Sequence, residues 1–103
     1  MPMVLIQKMP AGTPFKMLEE VTEEMDVRFN PPDGLIVHTV VEMDGRMTIV
    51  DVWESKEDFE AFGEERLGPA FEQVMQRLGQ DPSSMGEPET TMLETLDVIR
   101  GAS

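Results

Sequence analysis

The chain has 103 residues, a formal net charge of −13 and no cysteine, and these properties exclude several classes of protein. The length limits it to one domain, residues 1–103. Without cysteine there are no disulfides and no thiolate catalysis. Because phosphate backbones and anionic lipid surfaces repel a strongly acidic protein, we expect no nucleic-acid partner and no membrane partner.

The sequence contains no signal for membrane insertion or secretion. Its apolar runs are only a few residues long, whereas a helix needs about 20 to cross a bilayer. Residues 1–6 lack the basic region of a secretory signal. We therefore expect a cytoplasmic protein.

The first third of the sequence predicts a strand followed by an amphipathic helix. Residues 4–9 form a short apolar run that ends at a Pro-Ala-Gly breaker. Thr13 is expected to cap a helix whose first residue is Pro14, and the breakers at residues 30–34 should end it. Glutamates occupy the outer face of this helix. The apolar stripe consists of Phe15, Leu18, Val21 or Thr22, and Met25.

The next segment predicts a β-hairpin. Asp44-Gly45 separates two β-branched runs, residues 35–43 and 46–53, and this dipeptide favours a two-residue turn with positive φ at both positions. Met43 then pairs with Arg46, and the remaining pairs follow by counting outward. The predicted pairs on one face of the sheet are Val40 with Ile49, His38 with Asp51, and Ile36 with Trp53.

The last part of the chain predicts a helix in two pieces and a final strand. Ser55 is expected to cap the first piece, with Asp58 three residues later. Gly68-Pro69 should interrupt the helix, and Pro69 can begin the second piece. A polar loop at residues 80–89 leads to a strand at 90–100. The order βαββαβ predicts an α+β, ferredoxin-like fold, with a four-stranded antiparallel sheet and both helices on one face.

The predicted hairpin is apolar on both faces, although the helices can cover only one. We expect the helices to cover the face made of aliphatic residues and threonine. The face with Trp53 would then be an exposed apolar patch, which monomers seldom tolerate. This interpretation predicts a homodimer through that sheet face. Two four-stranded sheets could enclose one small ligand between them.

Residues 52–59, with the sequence Val-Trp-Glu-Ser-Lys-Glu-Asp-Phe, resemble the dimeric α/β-barrel superfamily. The resemblance is greatest to its antibiotic biosynthesis monooxygenase (ABM)-like group. It implies a dimer with one pocket per subunit for a small apolar or aromatic ligand. It also implies either a cofactor-independent monooxygenase acting on an aromatic or polyketide-like substrate, or a non-catalytic ligand-binding or stress-related module. Haem-degrading members carry a histidine on the helix after the tryptophan, which this chain lacks, so no bound cofactor is expected.

His38 and Asp51 are the candidate catalytic residues. A carboxylate beside an imidazole fixes its tautomer and leaves the other ring nitrogen free to act as a general base. The alternative is a structural pair in which two buried polar groups satisfy each other. One histidine and one carboxylate fall short of the three protein ligands usual at a catalytic metal, so no metal site is expected. Glu42 and Glu54 do not complete a set of metal ligands. Glu42 lies two residue pairs away from the His38–Asp51 pair, and Glu54 is on the face of the sheet opposite Asp51.

Four residues of the hairpin are expected to hold a planar ring: Trp53, Ile36, Val40 and Ile49. Trp53 could stack on a flat substrate or simply fill the core. The haem-degrading members of the superfamily also use an asparagine on the first strand. The resemblance therefore adds Gln7, the nearest amide in this chain, to the substrate-binding candidates.

Overall fold

The computed structural model describes residues 2–81 and 86–101 and has the predicted ferredoxin-like fold. Residues 82–85 of the predicted polar loop lie outside the described residues. The four strands form one antiparallel sheet in the order β2-β3-β1-β4. The elements are β1 (Met3–Lys8), α1 (Phe15–Met25), β2 (Leu35–Met43), β3 (Arg46–Trp53), α2 (Lys56–Phe62), a π-helical segment (Gly63–Leu67), α3 (Gly68–Arg77) and β4 (Glu89–Glu94).

The hairpin register is confirmed from the turn as far as His38 and Asp51. Asp44 and Gly45 both have positive φ, 55° and 73°, as the two-residue turn requires. Beyond this point a β-bulge adds Ile36 to the strand, so the partner of Trp53 is Leu35. A bulge puts two residues of one strand opposite one residue of the other, which reverses the alternation beyond it. The predicted pairing of Ile36 with Trp53 is therefore wrong.

The predicted helix caps have different outcomes. Ser55 caps α2, because its hydroxyl accepts a hydrogen bond from the Asp58 backbone N–H at 3.1 Å. Thr13 does not cap α1, which begins one residue later than predicted, at Phe15. Its hydroxyl donates to the Pro10 carbonyl at 2.7 Å and so closes the preceding turn.

The predicted helix interruption at Gly68-Pro69 takes the form of a widened turn. The Gly68 N–H bonds to the Gly63 carbonyl, five residues back, which defines the π-helical segment between α2 and α3. Pro69 follows in the first turn of α3, a position at which proline is common in helices. Arg66 in this segment donates to the Met25 carbonyl at 2.6 Å and fastens it to the end of α1.

The helices cover the sheet face that carries His38, Asp51 and Trp53, so the predicted assignment of the two faces is wrong. α2 begins only three residues after Trp53, and its rings Phe59 and Phe62 pack against the indole. These aromatic side chains need a large apolar partner, which the face with valine and threonine does not offer. Asp51 tolerates this burial because its carboxylate is hydrogen-bonded.

The opposite face of the sheet carries aliphatic residues and remains open. Three side chains of its edge strands keep much of their surface exposed. They are Val37 (46%) and Val41 (43%) on β2, and Leu93 (49%) on β4. The central strands add further aliphatic side chains to the same face. We call this surface the open sheet face, and its apolar members are Val4, Ile6, Val37, Val41, Val50, Val52 and Leu93.

The last strand is shorter than predicted. β4 ends at Glu94, opposite Met3, the first residue of its partner strand β1. One residue further, the N–H and the hydroxyl of Thr95 donate to the Pro2 carbonyl, at 3.1 and 2.8 Å. Arg100 then pairs with Glu54. Among residues 2–81 and 86–101, no helix combines the length and the apolar character that crossing a bilayer requires.

Candidate functional site

His38 and Asp51 face each other across β2 and β3 and form the polar centre of the site. His38 Nδ1 lies 2.7 Å from Asp51 Oδ1. The Asp51 side chain is 6% exposed, whereas that of His38 is 38% exposed. Because the carboxylate accepts this bond, Nδ1 carries the hydrogen, and in the neutral imidazole Nε2 then has a free lone pair. In the described chain, Nε2 has no hydrogen-bond partner.

Trp53 holds the second oxygen of the same carboxylate. Its indole Nε1 donates to Asp51 Oδ2 at 3.2 Å, and the residue is 1% exposed. The ring of Phe59 meets the indole edge-on at a centroid distance of 5.6 Å, and that of Phe62 is tilted at 5.2 Å. Both oxygens of Asp51 therefore accept from ring N–H groups, which fixes the plane of the carboxylate and, through it, the imidazole.

A cavity of about 420 Å³ lies between this face of the sheet and the helices. The volume is within the usual range for small-molecule sites, about 300–1,000 Å³. Two-thirds of the lining residues are apolar. The apolar members are Phe15, Leu18, Met25, Val27, Pro32, Leu35, Val40, Ile49, Trp53, Phe59, Phe62 and Leu67, and the polar ones are Gln7, Glu19, Thr22, Arg28, His38 and Asp51.

Most of the predicted site residues line this cavity, but its position differs from the prediction. We expected a pocket between the sheets of two subunits, whereas the cavity lies within one chain, under α1 and α2. The bulge also brings Leu35, in place of Ile36, to the wall beside Trp53. Six of the seven predicted residues line it: His38, Asp51, Trp53, Val40, Ile49 and Gln7.

The sequence reasoning missed the helical and loop half of the cavity. Its residues come from α1, from the loop after α1, and from α2 with the π-helical segment. The sequence predicts the apolar stripe on α1 but assigns it no part in the site. In the structure Val21 packs with Ala70 and Val74 of α3, while the side chains of Phe15, Leu18, Thr22 and Met25 line the cavity.

The site offers few ligands for a metal ion. Within residues 2–81 and 86–101, no three acidic or histidine side chains converge in a way that could hold one. Glu54 is engaged by Arg100, and the exposed Glu42 lies four residues along β2 from His38. The hydrogen-bonded centre of this site is therefore one imidazole and one carboxylate. The rest of the wall is mostly apolar, with Gln7, Glu19, Thr22 and Arg28 as its other polar residues.

Comparison with solved structures supports the fold. No family model matches the chain, and no curated protein matches it. Rv0793 from Mycobacterium tuberculosis superimposes with a TM-score of 0.62 at 16% identity, over 95% of this chain and 98% of that one. SnoaB, a cofactor-independent oxygenase from Streptomyces nogalater, superimposes with a TM-score of 0.61 at 13% identity, over 95% of this chain and 96% of that one. A candidate antibiotic biosynthesis monooxygenase from Deinococcus radiodurans superimposes with a TM-score of 0.59 at 14% identity, over the full length of both chains.

Proposed function

We propose that this chain, which has the fold of the ABM-type proteins, binds a planar aromatic or polyketide-like molecule and oxidises it with O₂ without a bound cofactor. The observation that carries the proposal is the imidazole of His38 at the cavity wall. Its Nδ1 is held by Asp51 at 2.7 Å, and its Nε2 is left without a described partner. An imidazole held in this way has a fixed tautomer and can accept a proton from a bound substrate.

The proposed reaction needs no redox group from the protein. Nε2 of His38 removes a proton from an activated methylene carbon beside a phenol-like or keto-bearing ring, and the ring system delocalises the carbanion. The carbanion gives its electrons to O₂, and a carbon–oxygen bond forms. The proton returns from His38 to the outer peroxide oxygen. The O–O bond then breaks, the second hydrogen of the carbon leaves with that oxygen as water, and a carbonyl group remains.

The cavity favours a role in ligand binding for the histidine–aspartate pair over a purely structural role. A structural pair needs only mutual hydrogen bonding, yet this one adjoins about 420 Å³ of mostly apolar space. Val40 and Ile49 flank the pair on the sheet, and Leu18 of α1 faces them from the helical side. A planar ring between these layers would bury apolar surface and bring its reactive carbon close to Nε2.

Oxygen uptake in the presence of anthrone, a planar three-ring ketone with an acidic methylene group, tests the proposal. We expect His38→Ala to lower the protein-dependent rate by about 10²-fold or more, because a positioned base contributes that much. His38→Asn should be equally inactive. Its side-chain amide can still donate to Asp51, but it has no counterpart of Nε2. Rates are measured with an oxygen electrode and corrected for the uncatalysed reaction.

Added imidazole provides the control for a folded but incomplete site. It should partly restore oxygen uptake in His38→Ala, where the removed ring leaves space, and much less in His38→Asn. Circular dichroism should show both variants folded. Oxygen uptake that persists in both variants, or its absence in the wild-type protein across anthrones and related planar phenols, would exclude this mechanism. Ligand binding without oxygen uptake would favour a non-catalytic binding module.

The open sheet face supports a second copy of this chain as a partner. Its valines and leucine form an apolar surface that the helices do not cover, and exposed apolar patches of this kind usually mark interfaces. A symmetric dimer would pair the face with itself. The proposed homodimer thus uses the sheet, as the sequence predicted, but through the face opposite His38.

Val41→Glu is expected to weaken this dimer by about tenfold or more, because each interface would then bury two unpaired carboxylates. Light scattering coupled to gel filtration should show the wild type at twice the chain mass of 11.6 kDa and the variant shifted to the monomer. Leu78→Glu is the matched control, since Leu78 is equally exposed, at 43%, but lies at the end of α3. A monomeric wild type at micromolar concentration would contradict the proposal.

A further inference from the structure

Arg28 has no hydrogen-bond or ion-pair partner among the described residues, in a chain that is rich in acidic residues. The sequence has 21 acidic and 8 basic residues, and five of the basic ones are arginines. Arg28 makes no hydrogen bond or ion pair with another residue in 2–81 or 86–101. The other four arginines all have partners: Arg46 with Glu89 and the Met9 carbonyl, Arg66 with the Met25 carbonyl, Arg77 with Glu24, and Arg100 with Glu54.

The same arginine lines the cavity that contains His38. It is the one lysine or arginine among the cavity-lining residues that the structure describes. Arg28 is also exposed, so it lies where the cavity meets solvent. Glu19 on α1 is the exposed acidic residue among the described residues that line the cavity. A ligand in the cavity therefore has, on the cavity wall, a guanidinium group whose donors have no partner among the described residues.

The loop that carries Arg28 is held in place by its own hydrogen bonds. Asp26 ends α1 in the left-handed conformation, with φ of 56°. The Asn30 backbone N–H donates to the Asp26 carbonyl at 2.9 Å, and the Asn30 amide donates to the Asp26 carboxylate at 2.5 Å. Arg66 fixes the preceding carbonyl, that of Met25. The backbone of Arg28 is thus positioned before any ligand binds, which lowers the entropic cost of using it.

We propose that Arg28 binds the carboxylate of the ligand, so that the molecule taken into this cavity is a planar aromatic acid. The inference rests on the proposed binding of a planar ring in the cavity. The guanidinium presents paired donors that match the two oxygens of a carboxylate. A protein with a net charge of −13 repels anions at long range, so it needs a local cation to accept an acidic ligand. Arg28 supplies this cation at the entrance, while the apolar wall takes the ring.

Two pairs of ligands that differ only in charge test the inference. The pairs are 2-naphthoic acid with 2-naphthamide, and anthraquinone-2-carboxylic acid with its amide, each titrated calorimetrically at low salt. We expect at least one acid to bind about fivefold more tightly than its amide, the scale of a solvent-exposed ion pair. Arg28→Gln should remove this preference by weakening the acid alone, and Arg28→Lys should retain part of it. Raised salt should reduce the preference.

Glu19→Gln is the matched control in the same cavity. It removes a negative charge, so it should strengthen binding of the acid and leave the amide unchanged. A preference for the acid that survives Arg28→Gln overturns the inference, as does equal binding of acid and amide to the wild type. In both cases the ring-binding cavity stands. Failure of all four compounds to bind overturns the inference and the proposed cavity function together. A lack of oxygen uptake with an intact, Arg28-dependent preference overturns only the proposed oxidation.

Discussion

Asp51→Asn is expected to lower the rate of oxygen uptake by about 10²-fold or more, although it only replaces one carboxylate oxygen with an NH₂ group of similar size. Asp51 accepts from His38 Nδ1 and from Trp53 Nε1, and an asparagine has only one oxygen acceptor. If that oxygen stays with the indole, the new NH₂ group faces Nδ1, which must then accept. The hydrogen of the imidazole moves to Nε2, the position from which the base acts. The variant thus keeps the histidine but presents the wrong tautomer.

The single histidine of the chain makes this tautomer directly measurable. In ¹⁵N NMR spectra of the neutral imidazole, the wild-type ring should show a protonated Nδ1 and a bare Nε2, and the variant should show the reverse. Asp44→Asn is the matched control, since it makes the same chemical change in the exposed hairpin turn, where Lys8 is the side-chain partner of Asp44 among the described residues. It should leave the rate of oxygen uptake unaltered. Wild-type rates in Asp51→Asn would mean that the carboxylate does not orient the imidazole.

Local signals in the sequence were sufficient to predict most of the fold. Asp44-Gly45 specified a turn with two positive φ angles, and this turn fixed the register out to His38 and Asp51. The bulge at Ile36 was not predicted, because counting cross-strand pairs outward from the turn assumes that each residue of one strand has one partner on the other. Its cause lies in the preceding turn, where Gly34 has φ of 84° and its carbonyl accepts from the Glu54 N–H at 2.7 Å. These contacts hold the start of β2 in place, and the extra residue takes up the difference.

The assignment of the sheet faces failed for a different physical reason. The prediction compared the two faces of the sheet by their aliphatic content. It therefore placed the helices on the valine-rich face. The deciding partners were Phe59 and Phe62, which follow Trp53 after a short connection and need a large, flat surface. Their spacing on a helix that starts three residues after the strand was visible in the sequence, and it favours packing on the indole.

The sequence indicated only the sheet half of the candidate site. Cross-strand pairs can be counted, so His38 and Asp51 were found together. The position of Arg28 depends on how the loop at residues 26–30 closes and on how α1 lies over the sheet, and no periodicity encodes either. The signal that was available is its charge: an isolated arginine between an amphipathic helix and a proline pair, in a strongly acidic chain.

Trp53→Ala is expected to lower the free energy of unfolding by about 3–5 kcal/mol, the usual cost of removing a large buried aromatic side chain. Trp53 is 1% exposed and joins β3 to α2 through its contacts with Phe59 and Phe62. Its loss would also leave Asp51 Oδ2, in a mostly buried carboxylate, without its donor. Since small domains are stable by about 5–15 kcal/mol, the variant should be close to unfolding. Urea denaturation followed by circular dichroism measures the change.

Two further variants separate the contributions to this loss. Trp53→Phe keeps a ring against α2 but removes the Nε1–H, so it should cost about 1–3 kcal/mol, mostly from the unsatisfied carboxylate oxygen and the smaller ring. Phe15→Ala removes an aromatic side chain that lines the same cavity but is 54% exposed, and it should cost less than about 1 kcal/mol. If Trp53→Ala were no more destabilising than Phe15→Ala, the indole would not be the contact that holds the helices on this face of the sheet. The position of the cavity between them would then need another cause.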